Sequence, residues 1–238
     1  MASTSQTVET YTRLKLDLMN GVYAPGSKLR IDVLCQTLAV SPGAVREALS
    51  RLTAEGFVLA EPQRGFVVAP VSTEELADLT AVRTEIETRC LARAIELGDI
   101  AWEGRILANF HQLSHTPVTV THGRKAIFNQ TWSELHIQFH EELISACDSP
   151  WWLRLRRQLS LQAERYRCML PARMAGQRNI EAEHGAIVKA AIERDSERAT
   201  RLLREHLQRT AKILFASGAF QQTKGRPHKS RAQSGRRS

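Results

Sequence analysis

The sequence predicts a mainly α protein: a small unit of three helices and a β-hairpin, then a larger all-α unit. Three observations carry this. Two short amphipathic segments lie two residues apart within residues 31–55, two β-rich segments follow within 57–69, and capped segments of helical apolar period fill most of 72–217. The 238 residues are 42% hydrophobic and 24% charged, which supports a packed core and excludes a wholly disordered chain.

Val8 to Met19 spaces Val8, Tyr11, Leu14 and Leu18 as a helix does and ends at Asn20-Gly21. Gly21 to Gly26 is a turn by composition. Ile31 to Leu38 reads as a second short helix with Ile31, Leu34 and Leu38 on one face. Only Ala39 and Val40 separate it from Ser41-Pro42, a capping Ser followed by a Pro where no amide donor is needed. The third helix runs from Gly43 to Glu55 and stops at Gly56. Its inner face is Val45, Ala48, Leu49 and Leu52; Gly43, Arg46, Glu47 and Ser50 face outward. Two helices joined so tightly make a helix-turn-helix, whose second helix fits a major groove about 12 Å wide with its first residues at base edges. Phe57–Ala60 and Phe66–Ala69 then read as a hairpin with Arg64-Gly65 near its tip. Such a wing can enter a minor groove, where the negative potential is deepest.

From residue 72 the pattern is helical. Ser72-Thr73-Glu74-Glu75 is a capping box that opens a helix with Leu76, Leu79, Val82, Ile86, Cys90 and Ile95 on its apolar stripe, closed at Gly98. Further helices are expected at Ile100–Ser114, Ala126–Cys147, Pro150–Leu170, Gln177–Arg194 and Ser196–Ala216, with a loop from Pro117 to Gly123 and a break at Pro171. Four of the eight histidines fall on inward stripes. His136 and His140 lie one turn apart among Trp132, Leu135, Phe139 and Leu143; His184 sits between Ile180 and Ile187; His206 sits between Leu203 and Leu207. Four imidazoles in one core are costly unless something converges them, and a divalent transition metal does so. Separate core histidines, each with one satisfied hydrogen bond, are the alternative.

Composition narrows the function class. No apolar run approaches the roughly 18 residues of a membrane span, and Met1–Thr7 has no signal-peptide pattern, so a cytoplasmic protein is expected. Cys35, Cys90, Cys147 and Cys168 lack CxxC spacing, which excludes a zinc ribbon and fits a reducing compartment. The net charge of +8 is mostly the tail: residues 221–238 hold six Lys/Arg and no acid, and the segment 218–238 is too polar to fold. Overall charge is therefore weak evidence for nucleic acid, and local pattern has to carry the argument.

That pattern reaches a resemblance. Gly21-x-Tyr23-x-Pro25-Gly26-x-x-Leu29, then Val40-Ser41-Pro42-x-x-Val45-Arg46-Glu47-Ala48-Leu49-x-x-Leu52-x-x-Glu55-Gly56, then Arg64-Gly65-Phe66-x-Val68, resembles the DNA-binding domain of GntR-family bacterial regulators over residues 8–70. The resemblance implies a homodimer on an inverted repeat in double-stranded operator DNA. It implies contacts from Ser41, Gly43, Ala44 and Arg46, with Arg30 near the second helix and Arg64 and Gly65 in the wing. Pro42 and Gly43 stand where many members carry an Arg after the cap, which leaves more of the base reading to Arg46 and Arg64.

Residues 72–217 are similar to the FCD ligand-binding domain of the FadR-type branch. The matching segments are His136-Ile137-Gln138-Phe139-His140-x-x-Leu143, Glu183-His184-x-x-Ile187-x-x-Ala190-Ala191-Ile192, and His206-Leu207. The resemblance implies a six- or seven-helix antiparallel bundle, a divalent metal on one Asp and three His, and a small carboxylic-acid effector. Matched one by one, His140, His184 and His206 take the His positions and His136 the Asp position. Losing that hard oxygen favours zinc or nickel over manganese or calcium. Arg83 is the matching carboxylate clamp, with an i,i+4 ion pair to Glu87 as its alternative; Arg165 and Tyr166 are further pocket candidates. The segments Leu135-His136-x-x-Phe139-His140 and Ala163-x-x-Tyr166-Arg167 resemble the carbon-starvation-induced regulators, which implies a dicarboxylate such as glutarate. A ligand-responsive repressor, not an enzyme, is the expected function. A metal-dependent hydrolase on the bundle, or a regulator whose histidines are only structural, are the alternatives.

Overall fold

The computed structural model describes residues 2–122, 125–167 and 178–217. The basic tail lies outside them, as does Pro171. The first unit comprises α1 (Ala2–Met19), β1 (Lys28–Leu29), α2 (Ile31–Leu38), α3 (Pro42–Ala54), β2 (Val58–Glu61) and β3 (Gly65–Val68). Its core is Leu14 of α1, Leu34 of α2, Val45, Ala48, Leu49 and Leu52 of α3, and Phe57, Val58 and Val68 of the hairpin. The expected inward stripes of α2 and α3 meet there. Ser41 Oγ accepts from the Ala44 amide at 3.3 Å and Pro42 occupies the first turn of α3. The connection from α2 is short because Ala39 takes a left-handed conformation, φ 54°, which turns the chain within two residues.

The sheet has the order β1-β3-β2, all antiparallel, with Glu61 opposite Gly65 across a three-residue turn. The wing is therefore where the sequence places it. Strand β1 is new: two residues pairing at the sheet edge are too short to leave a period-2 signal. Helix α1 also begins earlier than Val8, because Ala2–Thr7 has no helix breaker.

Six helices make up the second unit among the described residues: α4 (Thr73–Leu97), α5 (Ile100–Ser114), α6 (Gln130–Leu143), α7 (Pro150–Arg167), α8 (Ile180–Ile192) and α9 (Ser196–Ala216). Side chains of Ser72, Asp99, Asn129, Asn179 and Asp195 accept from first-turn amides, so the helix starts are set locally. The core joins Leu91 and Ala94 (α4), Trp102 and Ile106 (α5), Phe139 and Leu143 (α6), Ile187 and Ala191 (α8), and Leu203 (α9).

Two expectations are corrected here. Residues 117–128 are not a loop running into a helix: Thr119–His122 (β4) and Lys125–Phe128 (β5) form an antiparallel hairpin, and α6 starts only at Gln130. The β-branched Thr119, Val120, Thr121 and Ile127 suit a strand better than the first turn of a helix. The buried face of α4 is also rotated from the expected stripe, leaving Val82 45% exposed while Thr84, Glu87 and Thr88 are buried. The helix tolerates a polar inner face because Thr80, Thr84 and Thr88 each donate to the carbonyl four residues back, and Glu87 meets arginines. No helix among the described residues is long and apolar enough to cross a membrane.

Candidate functional site

In the winged unit, Ser41, Gly43 and Arg46 are exposed at the start of α3. Arg46 has no hydrogen bond or ion pair among the described residues, whereas Arg30 is held by Asp32 at 2.6 Å and Arg64 by Glu61 at 2.6 Å. Arg64 and Gly65 stand exposed at the wing tip, and Gly65 at φ 78° adopts a backbone that a side chain would strain. Ala44 is a correction. It is 6% exposed, its methyl packs inward and its amide is taken by the Ser41 cap, so its part is to start the helix.

In the bundle the four expected histidines converge. Each offers a ring nitrogen, and these atoms all lie within 4.8 Å of one another. Two come from successive turns of α6, one from α8 and one from α9. His140, His184 and His206 are buried and His136 is half-buried, stacked on Trp132 at 4.7 Å. Both ring nitrogens of His140 and Nε2 of His184 have no hydrogen-bond partner among the described residues. Burial first, then the crowding of the other imidazoles and the nearby arginines, holds His136, His140 and His184 well below the ordinary 6.5, which favours the neutral rings. His206 is lowered by burial too, against a 3.0 Å contact between its Nδ1 and Glu183 that works upward.

A cavity of about 40 Å³ opens beside this cluster. His136, His140 and His206 line it together with Arg83, Glu164 and Arg167. Arg83 lines the cavity, and its Nε donates to Glu87 at 2.6 Å, the ion pair expected as the alternative to a clamp. Arg167 donates to Glu164 (Nε to Oε2, 2.7 Å) and to Ser133. Burial opposes the charge on Glu164, but Arg167 outweighs it and holds the carboxyl below its ordinary range.

Arg165 and Tyr166 are not in this cavity. Arg165 points from α7 toward the winged unit, donating to the Gly56 carbonyl at 2.8 Å, and pairs with Glu75 of α4 at 3.2 Å, while Tyr166 packs with Val71, Leu76 and Leu214. The Tyr166 hydroxyl donates to Glu75 at 2.5 Å. Ser160, Ala163, Glu164 and Arg167 occupy the cavity face of α7, and successive residues of a helix turn about 100° apart, so 165 and 166 face elsewhere.

Sequence reasoning missed Glu164, Arg167 and Arg178 as site residues, and it places Glu183 beside the histidines only as part of the FCD-like segment. Arg178 donates to Glu183 and to Thr210 and lies 2.9 Å from His206 Nδ1, while Arg209 reaches Glu183 at 2.6 Å. Burial resists ionisation of Glu183, yet these donors hold its carboxyl far below the ordinary range. Glu183 directly precedes His184, which was a usable signal; Arg178 comes from outside a helix and left none.

Comparison with known proteins agrees with the two-part fold. The model of bacterial regulatory proteins of the gntR family matches residues 6–68, and the FCD domain matches residues 78–209. The chain is 40% identical over 209 residues to the uncharacterized HTH-type transcriptional regulator BphR of Paraburkholderia xenovorans, covering 88% of this chain and 85% of that one. It is 32% identical over 210 residues to the HTH-type transcriptional repressor GlaR of Escherichia coli, covering 86% and 93%. A GntR regulator structure from Rhodococcus sp. RHA1 superposes with a TM-score of 0.67 over 90% of this chain and 99% of that one, at 21% identity, a likeness of fold. The chain belongs to the GntR family of bacterial regulatory proteins, a winged helix-turn-helix transcription regulator that carries an FCD domain.

Proposed function

We propose that this regulator is a repressor that binds double-stranded operator DNA as a homodimer and answers to a small carboxylic acid. The acid is held beside a divalent metal, zinc or alternatively nickel, on His136, His140, His184 and His206. The unpartnered nitrogens of His140 and His184 carry the reading. A histidine kept for structure alone satisfies at least one nitrogen, and a buried unsatisfied polar atom costs about 1–3 kcal/mol. Neutral imidazoles drawn from three helices fit zinc or nickel better than a hard oxygen-seeking cation. When bound, the metal supplies a Lewis-acidic positive charge at the cavity wall.

The chain supplies the rest. Arg83 offers a guanidinium fork to a carboxylate at the cavity wall. Helix α7 connects the two functions, with one face on the cavity and Gln162 and Arg165 on the other side against Glu55 and Gly56 of the winged unit. Repression and the dimer are drawn from the GntR resemblance and from the printed name of the Escherichia coli relative. The division of labour falls at residues 8–70 for DNA and 72–217 for the effector.

Elemental analysis of the full chain, purified without a histidine tag, tests the metal. One zinc or nickel per chain is expected, lost in His140→Ala and His184→Ala; a metal-free parent chain would contradict it. Glutarate titrated into the zinc-loaded chain tests the acid. Arg83→Ala is expected to weaken binding about tenfold or more, the loss of a charge-assisted bond. An unchanged affinity would contradict the clamp.

A further inference from the structure

Arg83 serves two masters in this structure. Its guanidinium borders the cavity, and its Nε is 2.6 Å from Glu87 Oε1, a carboxylate only 1% exposed. If Arg83 alone served Glu87, its turn to an acid in the cavity would leave a buried, unpaired charge close to a second anion. Such a charge is strongly unfavourable. An Arg clamp so engaged should be a poor one unless another cation can take its place.

That cation is present. Arg156 of α7 is 2% exposed, and its Nε lies 3.4 Å from the same Glu87 Oε1 without forming a hydrogen bond. Its other charged neighbour, Glu141, is 3.9 Å from Nη1. Nε and Nη2 of Arg156 have no hydrogen-bond partner among the described residues, and neither has Glu87 Oε2. Two idle donors and one idle acceptor are thus buried side by side, and native interiors rarely leave such groups unmatched. A small rotation of either side chain would pair them.

We propose that Arg156 is the reserve counter-ion of Glu87: when Arg83 moves onto a carboxylate in the cavity, Arg156 closes on Glu87 and keeps the buried charge paired. This rests on the carboxylate reading above and makes Arg156 a positioning residue for Arg83. No local pattern hints at it, because residues 87 and 156 meet only in the fold.

A thermal-unfolding cycle on the full, ligand-free chain tests the pairing. Arg83→Ala alone and Arg156→Met alone are each expected to lower Tm by a few degrees, since the remaining arginine still serves Glu87. Their combination should lower it by far more than the sum, and adding Glu87→Gln should recover most of that excess. Additive shifts, or a triple variant no more stable than the double one, would overturn the proposal; if the double variant fails to fold, folding of the triple variant still decides. Glutarate titrated into the zinc-loaded chain reads the positioning role. Arg156→Met should raise Kd about tenfold by locking Arg83 on Glu87, and Arg156→Met with Glu87→Gln should restore it. Equal Kd values for the parent and Arg156→Met would overturn the role. Absence of glutarate binding by the parent chain would count against the acid reading, and the ligand-free cycle would still decide on Arg156.

Discussion

Arg165 Nη1 of α7 lies 2.8 Å from the carbonyl oxygen of Gly56, two residues past the last residue of helix α3. One turn away on the same helix, Gln162 donates to the Glu55 carbonyl, and a Cβ at Gly56 would stand 2.6 Å from Gln162 Nε2. The helix that walls the cavity therefore also grips the exit of the DNA-reading helix. A ligand can shift DNA affinity only through contacts that differ between two states, and this seam is a place for such a difference.

Arg165→Ala is expected to loosen that grip. The Gly56 carbonyl loses a charged donor, a change worth about 1.5–3 kcal/mol for a buried bond. Hydrogen exchange at residues 55–57 should accelerate while the bundle core stays protected. Unchanged exchange would show that the seam is not held by Arg165. Gly56→Ala should be more harmful, because φ 76° strains any side chain and the new methyl meets Gln162.

On the DNA side, Arg46 and Ser41 should separate into two kinds of effect. Arg46→Ala is expected to leave Tm nearly unchanged and cost about 1–3 kcal/mol of operator affinity, as loss of a bidentate base contact does. Ser41→Ala removes the cap of α3 and should cost about 1 kcal/mol of stability as well. Paired thermal melts and anisotropy titrations would distinguish them.

The metal-free histidines give a pH prediction whose sign is fixed by their burial. Their folded pKa values lie below 6.5, so the unfolded chain takes up protons that the folded chain refuses. Stability is then fully present above pH about 6.5 and falls as pH drops below it. Glu87, Glu164 and Glu183 are shifted the same way from 4.5 and add their losses only at lower pH. Tm of the chelator-treated chain should therefore decline between pH 7.5 and 5.5; a flat profile would contradict buried neutral imidazoles.

Glu183 supports His206 from behind the cluster. Glu183→Gln should weaken zinc binding about 10–100-fold, the usual loss for an outer partner of a metal-bound histidine. Competition with a colorimetric chelator would measure it, and an unchanged affinity would show that Arg178 and the backbone suffice to place the ring.

The winged unit was legible almost whole because its signals are local: the Ser41-Pro42 cap, the inward stripe of α3 and the Arg64-Gly65 tip each occupy a few consecutive residues. The histidines were legible for a related reason, since each sits on an apolar stripe of helical period. What failed was either too short or too distant. Strand β1 is two residues long, and the β4–β5 hairpin hides in a mixed segment next to a helix. Arg165 and Tyr166 were assigned to the cavity because spacing along α7 does not say which neighbour each side meets. Arg156, Arg178 and the buried Glu87 are charged residues that sequence logic places on the surface; only tertiary pairing brings them inside.

The most direct test of the account is selection from random double-stranded DNA by the full chain, run in parallel with Arg46→Ala and Arg64→Ala. The account predicts enrichment of one inverted repeat by the parent chain, with information lost at specific positions in each variant. No enriched repeat, or the same repeat with equal affinity in both variants, would contradict it.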